Sequence, residues 1–219
     1  LGIDSNVYSS IRCSEHGYWN DFTPILDYSS LKSYVRSIAR YIVNGDLKAA
    51  SELYYPVRLK PRGANSLETL FQNGVNHLEL RVLDVNPLTR TGIFSEDIRF
   101  IHLLLLWLSS LPEFDFDEEK QIQSIADVKA AAVFGNAEIK RRAKETLEEI
   151  KRFTRQYFPH FLLYPTLHLF TLSRIALHIA VISFLCFIDQ EINIGIIGLT
   201  ITVCIHIVGN VVDDTTDGV

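Results

Sequence analysis

Apolar residues recur along this chain at two different intervals. Over residues 30–43, Leu31, Tyr34, Val35, Ile38, Tyr41 and Ile42 fall three and four apart, which places them on one face of a helix. Ser29 or Ser30 can serve as N-cap, and Asn44-Gly45 ends the pattern. A shorter helix is predicted over 66–72, opened by Ser66 with Thr69 three residues on. Ser95 is placed to cap a third helix over 96–111, where Glu96 and Asp97 complement the positive end of the dipole. Residues 100–108 of that helix are apolar nearly all round except for His102, so it reads as buried and too short to span a bilayer. A short helix over 121–134 ends at Gly135-Asn136. It is followed by an amphipathic helix over 137–158 with Ile139, Ala143, Leu147, Ile150, Phe153 and Tyr157 on one stripe.

Elsewhere the period is two. In 77–84, Leu78, Leu80 and Val82 alternate with Glu79 and Arg81, giving one apolar and one charged face. In 51–60, Leu53, Tyr55, Val57 and Leu59 oppose Glu52, Tyr54, Arg58 and Lys60, and Pro56 marks an edge or a bulge. A third short strand is predicted over 8–14, with Ile11 and Cys13 inward and Ser10, Arg12 and Ser14 on the other face. Gly17, Asn20, Asp21 and Pro24 then mark a loop. Separate helices and short alternating strands together predict an α+β fold.

Past Pro159 the pattern dissolves. Residues 161–188 and 192–212 are almost wholly apolar, with His168, Arg174 and His178 embedded in the first run and Asn193, His206 and Asn210 in the second. The expected division is a domain over 1–159 and an apolar tail over 160–219. The tail admits three accounts: a pair of buried helices, a segment foreign to the natural C-terminus of the domain, or membrane spans. Spanning ranks third, because Arg174 and three histidines interrupt the runs at a cost in hydrocarbon.

The chain has 219 residues and a net charge of −5, enough for one sizeable core and no argument for a polyanion, so nucleic acid is not an expected partner. Its three cysteines, Cys13, Cys186 and Cys204, show neither metal-type spacing nor an even disulfide count, which favours a reducing, cytoplasmic compartment. It begins at Leu1 and contains no methionine, and so reads as a segment of a longer protein.

Set side by side, the polar faces of the three strands offer Arg12, then Tyr54, Arg58 and Lys60, then Glu79 and Arg81. Carboxylate oxygens take Mg²⁺, and arginine forks take carboxylates and phosphoryl oxygens in pairs. Such a face suits an anionic substrate bound with a divalent cation, as phosphoryl transfer to a carboxylate requires. The same pattern also fits a half-exposed sheet with a wet polar face. His77 shares the face of Glu79 and fringes it; His16 reads as a surface residue and His102 as a hydrogen-bonded core residue. Asp84 and Asn86 read as fixing the turn before Pro87. Lys140-Arg141-Arg142 reads as a solvated helix face paired with Glu138, Glu145, Glu148 and Glu149, and Cys13 as an inert core thiol.

Three segments carry more than a pattern. Ser10-Ile11-Arg12-Cys13-Ser14-Glu15-His16-Gly17-Tyr18, Glu52-Leu53-Tyr54-Tyr55-Pro56-Val57-Arg58 and His77-Leu78-Glu79-Leu80-Arg81-Val82-Leu83-Asp84-Val85-Asn86-Pro87 closely resemble bacterial glutamate–cysteine ligase, also called γ-glutamylcysteine synthetase. Asp97-Ile98-Arg99-Phe100-Ile101 matches in order and interval. The resemblance is strong over residues 8–134, looser to 158 and absent beyond 160. It implies a fold similar to glutamine synthetase, with a curved antiparallel sheet forming part of a funnel and helices outside. It implies ATP-dependent joining of the glutamate γ-carboxylate to the amino group of cysteine through a γ-glutamyl phosphate, with Mg²⁺, at the first step toward glutathione. By motif position, Glu79 looks like a metal-binding glutamate and Arg81 like the arginine that meets the transferred phosphoryl group. Arg12, Tyr18, Tyr54 and Arg58 look like substrate-pocket residues, with Arg12 placed for a substrate carboxylate, and Lys60 belongs with Arg81 on the nucleotide side.

Members of that family are much longer, and most of their metal-binding glutamates lie upstream of the motif at Arg12. The chain alone is therefore expected to be inactive. A non-catalytic amino-acid-binding segment, a ligase with a different acceptor amine and a membrane-associated protein working through its tail are the other readings.

Overall fold

The computed structural model describes residues 7–112 and 115–158. The apolar tail expected over 160–219 lies outside the described residues. Among the described residues five α-helices are interspersed with the two strands of a small antiparallel sheet, a mixed architecture of the α+β kind.

Helix α1 spans Leu31–Asn44. The Ser30 hydroxyl accepts the Ser33 N–H at 3.0 Å, and Gly45 closes the helix in the left-handed region at φ +84°, where a side chain would be strained. Helix α2, Leu67–Asn73, is capped by Ser66 through Thr69 N–H at 3.1 Å. Both caps fall where the sequence places them. Strand β1 is Val57–Lys60 and β2 is His77–Leu80; they pair antiparallel with Arg58 opposite Glu79 and Lys60 opposite His77.

Both strands are shorter than their alternation suggests, and each for a local reason. Before β1, residues Ala50–Glu52 form a 3₁₀ turn whose Ala50 carbonyl accepts the Arg58 guanidinium at 3.0 Å. After β2, Arg81 N–H still reaches the Pro56 carbonyl at 2.8 Å, but beyond it the backbone and side chains bond to the N-terminal loop. That loop is the main departure from expectation. Residues 8–14 make no strand: Tyr8 forms an isolated bridge with Val133, and 11–14 turn. Cys13 is buried as predicted, but Ile11 is exposed and Ser10 and Ser14 are buried, against the predicted faces, because both serines have hydrogen-bond partners. Among the described residues the sheet therefore has two strands, with no third beside them.

Helices α3, Ser95–Leu108, α4, Glu118–Ala131, and α5, Ala137–Tyr157, complete the described chain. α5 packs on both α3 and α4. Ser95 lies inside α3 rather than capping it; Phe94 takes the cap position, and the Ser95 hydroxyl donates to Glu96 at 3.0 Å. Most of α3 is buried as predicted, but His102 is exposed and is not a core residue. α4 starts three residues earlier than expected because Asp117 accepts the Lys120 N–H at 2.9 Å, and Phe116, between Asp115 and Asp117, is buried against Tyr28. On α5, Ile139, Ala143, Leu147 and Ile150 are buried, while Tyr157 ends the stripe exposed. Each buried isoleucine or leucine of that stripe contributes about 1.5–3 kcal/mol. Arg141 sits between Glu138 and Glu145 at 2.7 Å on the solvent side, but Arg142 leaves that face and pairs with Asp127 of α4 at 2.7 Å. No helix among the described residues is long and apolar enough to cross a membrane.

Candidate functional site

Cross-strand pairing brings Arg58, Lys60, His77 and Glu79 to one face of the sheet. The face is not wet: Arg58 and Lys60 are each 9% exposed and Glu79 is 8% exposed. Glu79 Oε2 lies 3.3 Å from Lys60 Nζ and 3.7 Å from Arg58 Nε. The cations are anchored elsewhere as well. Arg58 donates to the Ala50 and Ser51 carbonyls, and Lys60 Nζ donates to Asn65 Oδ1 at 3.0 Å. Burial and the neighbouring Arg58 pull the Lys60 pKa down, while Glu79 pushes it back up. Burial, then the Lys60 charge, also lowers that of His77.

Within this group Glu79 Oε2 is buried, and its contacts are the ion pairs with Lys60 and Arg58 rather than a well-aligned hydrogen bond. Such an oxygen suits a divalent cation that takes one carboxylate and completes its shell with waters and phosphate oxygens. It suits a cation site built wholly from protein less well, since no cluster of three or more potential ligands occurs among the described residues.

Arg81, two residues along from Glu79, opens onto a different space. Arg12, Cys13, Tyr18, Trp19, Tyr55, Pro56, Arg81 and Val82 line a cleft of about 290 Å³, counting its open mouth. The Arg12 guanidinium stands 5.7 Å from the Tyr18 ring centre and the Arg81 guanidinium 5.6 Å from that of Tyr54. The two rings are themselves 6.4 Å apart, so cation, ring, ring and cation follow one another around the mouth. Among the described residues neither guanidinium has an ion-pair partner. Burial lowers the Arg81 pKa; Glu79 raises it, and Arg58 and Arg12 lower it further. Two unpaired guanidiniums beside one small cleft make an anion the expected occupant.

The residues predicted from sequence thus separate into two neighbouring sets. Arg12, Tyr18 and Arg81 line the cleft and Tyr54, which does not line it, stands against Tyr18 and Arg81, whereas Arg58, Lys60 and Glu79 form the buried ionic group beside it. His77 fringes that group, half-buried, with Nδ1 3.3 Å from Asn76 Oδ1. His16 is exposed and packs edge-on to Tyr8. Sequence reasoning missed Trp19 in the lining; its position beside Tyr18 was the available signal. Trp19 is fixed by its indole N–H donating to the Ser14 carbonyl at 2.6 Å and by Lys129 of α4 over its ring at 4.9 Å.

A family model described as glutamate-cysteine ligase matches residues 3–130. The glutathione biosynthesis bifunctional protein GshAB of Listeria monocytogenes serotype 4b (strain F2365) is 40% identical over 98 residues, 44% of this chain and 13% of that protein. Its namesake in Enterococcus faecalis (strain ATCC 700802 / V583) is 40% identical over 109 residues, 48% of this chain and 14% of the relative. In Clostridium perfringens (strain 13 / Type A) the identity is 27% over 174 residues, with 72% and 22% covered. The chain spans between 13% and 22% of the length of these relatives. With the family match running through the strands and loops that build the cleft and over more than half of the sequence, the chain belongs to the glutamate–cysteine ligase family.

Proposed function

We propose that this chain supplies part of the active site of an ATP-dependent ligase that joins the γ-carboxylate of glutamate to the amino group of cysteine. The observation that carries the reading is the pair of unpaired guanidiniums, Arg12 and Arg81, at one cleft in a chain of this family. In the proposed reaction a γ-carboxylate oxygen attacks the terminal phosphorus of ATP and ADP leaves. The cysteine nitrogen then attacks the acyl carbon of the γ-glutamyl phosphate, inorganic phosphate leaves, and the nitrogen loses a proton.

Each side chain has a stated part in this reading. Arg12 receives a substrate carboxylate over the Tyr18 ring, and Tyr54 forms the adjoining wall of the cysteine pocket. Arg81 meets the transferred phosphoryl oxygens, whose charge must be neutralised while the bond shifts. Glu79 is the residue that would hold Mg²⁺, which when bound would supply charge neutralisation on the nucleotide phosphates. Lys60 serves the nucleotide side, and Arg58, expected from its motif to bind substrate, acts from beside the cleft, where both cations flank the Glu79 carboxylate. The two strands form part of a glutamine-synthetase-like funnel completed by other segments of the full protein. Because the relatives are several times longer, turnover belongs to that protein, and this chain alone is inactive. The odd number of cysteines, without metal-type spacing, supports a reducing, cytoplasmic setting for the reaction.

The test is ADP release with ATP, Mg²⁺, glutamate and cysteine in the full-length protein carrying this sequence, beside its Arg81→Ala variant. The variant should lose about 10²–10³ in kcat with unchanged circular dichroism. Turnover near the unsubstituted level would refute the assignment of Arg81.

A further inference from the structure

Asp84 lies past the end of β2 and does not line the cleft, yet its carboxylate turns back to the N-terminal loop. One oxygen accepts the Ser10 hydroxyl, and the other accepts the Arg12 backbone N–H at 3.1 Å. The Ser10 oxygen in turn accepts the Cys13 N–H at 3.1 Å, and the Cys13 thiol donates to the Val82 carbonyl at 3.5 Å. On the far side of Arg12, Gly17 N–H donates to the Ser14 carbonyl at 2.9 Å, and a Cβ built on Gly17 would overlap the Arg12 carbonyl. The Arg12 backbone is therefore held through its N–H by Asp84, and the close approach of Gly17 leaves no room for a side chain against its carbonyl. The Arg12 guanidinium is left over the Tyr18 ring at the cleft.

We infer that Asp84 is a positioning residue for anion binding: through Ser10 and the Arg12 N–H it fixes the loop that aims the Arg12 guanidinium across the cleft from Arg81. The sequence alone gives Asp84 a lesser part, ending a strand before Pro87. The bonds run instead to residues seventy-odd positions away, with a separation of 74 to Ser10 and 72 to Arg12. A guanidinium on a loop without such supports drifts by more than the tolerance of a carboxylate contact, so the loss should appear in substrate binding. This inference rests on the reading in which Arg12 holds the carboxylate of the amino-acid substrate.

The experiment is a double-mutant cycle in the full-length protein, with Asp84→Ala, Asp84→Asn, Arg12→Ala and the Asp84→Ala/Arg12→Ala pair. Asp84→Ala should raise KM for glutamate about tenfold while kcat moves much less. Asn keeps one acceptor where Asp84 uses two, so Asp84→Asn should fall between, and it carries the test if the alanine variant does not fold. On the Arg12→Ala background, Asp84→Ala should add less than about twofold. Amide exchange at Arg12 and Cys13 should accelerate in both Asp84 variants while α5 keeps its protection. A KM unmoved by either Asp84 substitution while Arg12→Ala raises it, or effects that simply multiply, would overturn the positioning role. A KM unmoved by Arg12→Ala itself would instead overturn the reading of Arg12 on which the role depends.

Discussion

Replacing Glu79 by Gln keeps the shape of the side chain and removes its charge from between Lys60 and Arg58. At an effective dielectric near 20, separations of 3.3 and 3.7 Å correspond to gross attractions of about 5 and about 4.5 kcal/mol. The desolvation of three ions offsets much of this, and a buried pair broken on one side typically costs about 3–5 kcal/mol. Arg58 keeps its two carbonyls and Lys60 keeps Asn65, which argues for the lower end, about 3 kcal/mol. Urea unfolding of the chain without Mg²⁺, followed by Trp19 and Trp107 fluorescence, measures it directly. A second signature comes from Lys60, whose pKa is already lowered by burial and by Arg58. Without Glu79 it falls further, so the unfolded chain binds more protons than the folded one over a wider range below 10.5. Stability then rises with pH through that range, and the deficit of the variant should narrow as pH climbs. A deficit below about 1 kcal/mol, or one independent of pH, would refute the view that this carboxylate holds the two cations in place.

His77 has a folded pKa below its ordinary 6.5, so wild-type stability should fall as pH drops through 6.5 toward the folded value, and His77→Gln should flatten that slope; an unchanged slope refutes the assignment. Gly17→Ala drives a methyl into the Arg12 carbonyl and should destabilise the chain by about 1–3 kcal/mol in the same urea titration; wild-type stability would mean that the loop yields freely. Burial pushes the Cys13 thiol up to about 12, so peptide mapping after iodoacetamide treatment should find Cys13 unmodified in the native chain and alkylated in urea; native labelling would contradict its burial.

The helices were the legible part of the chain. Caps at Ser30 and Ser66, the left-handed stop at Gly45 and the α5 stripe are local devices whose partners sit three or four residues away, within reach of a sequence pattern. The alternation put Arg58 and Glu79 on the polar faces of their strands but did not reveal their pairing or burial, which depend on register and on what packs over the strands. Residues 8–14 misled because Ser-Ile-Arg-Cys-Ser alternates like a strand, while its hydrogen bonds go to Asp84, to Val82 and back into its own turn. The motif residues of the site could be picked out by resemblance, yet their division into a cleft and a buried ionic group could not. Arg58 and Arg81 differ in where their elements lead, not in local sequence character.

The anchoring of the N-terminal loop also sets an order of events. Ser9 bonds Ala131 across 122 residues, Phe134 N–H reaches the Val7 carbonyl, and Ser10 reaches Asp84 across 74. Contacts of such separation form after local helices, since the chain between them must first be drawn in. During synthesis the segment bearing Arg12 leaves the ribosome before its partners: Val82 and Asp84 follow first, and Ala131 to Phe134 only later. Substitutions at Ser9 or Ser10 should therefore act on the unfolding rate and leave the folding rate nearly untouched.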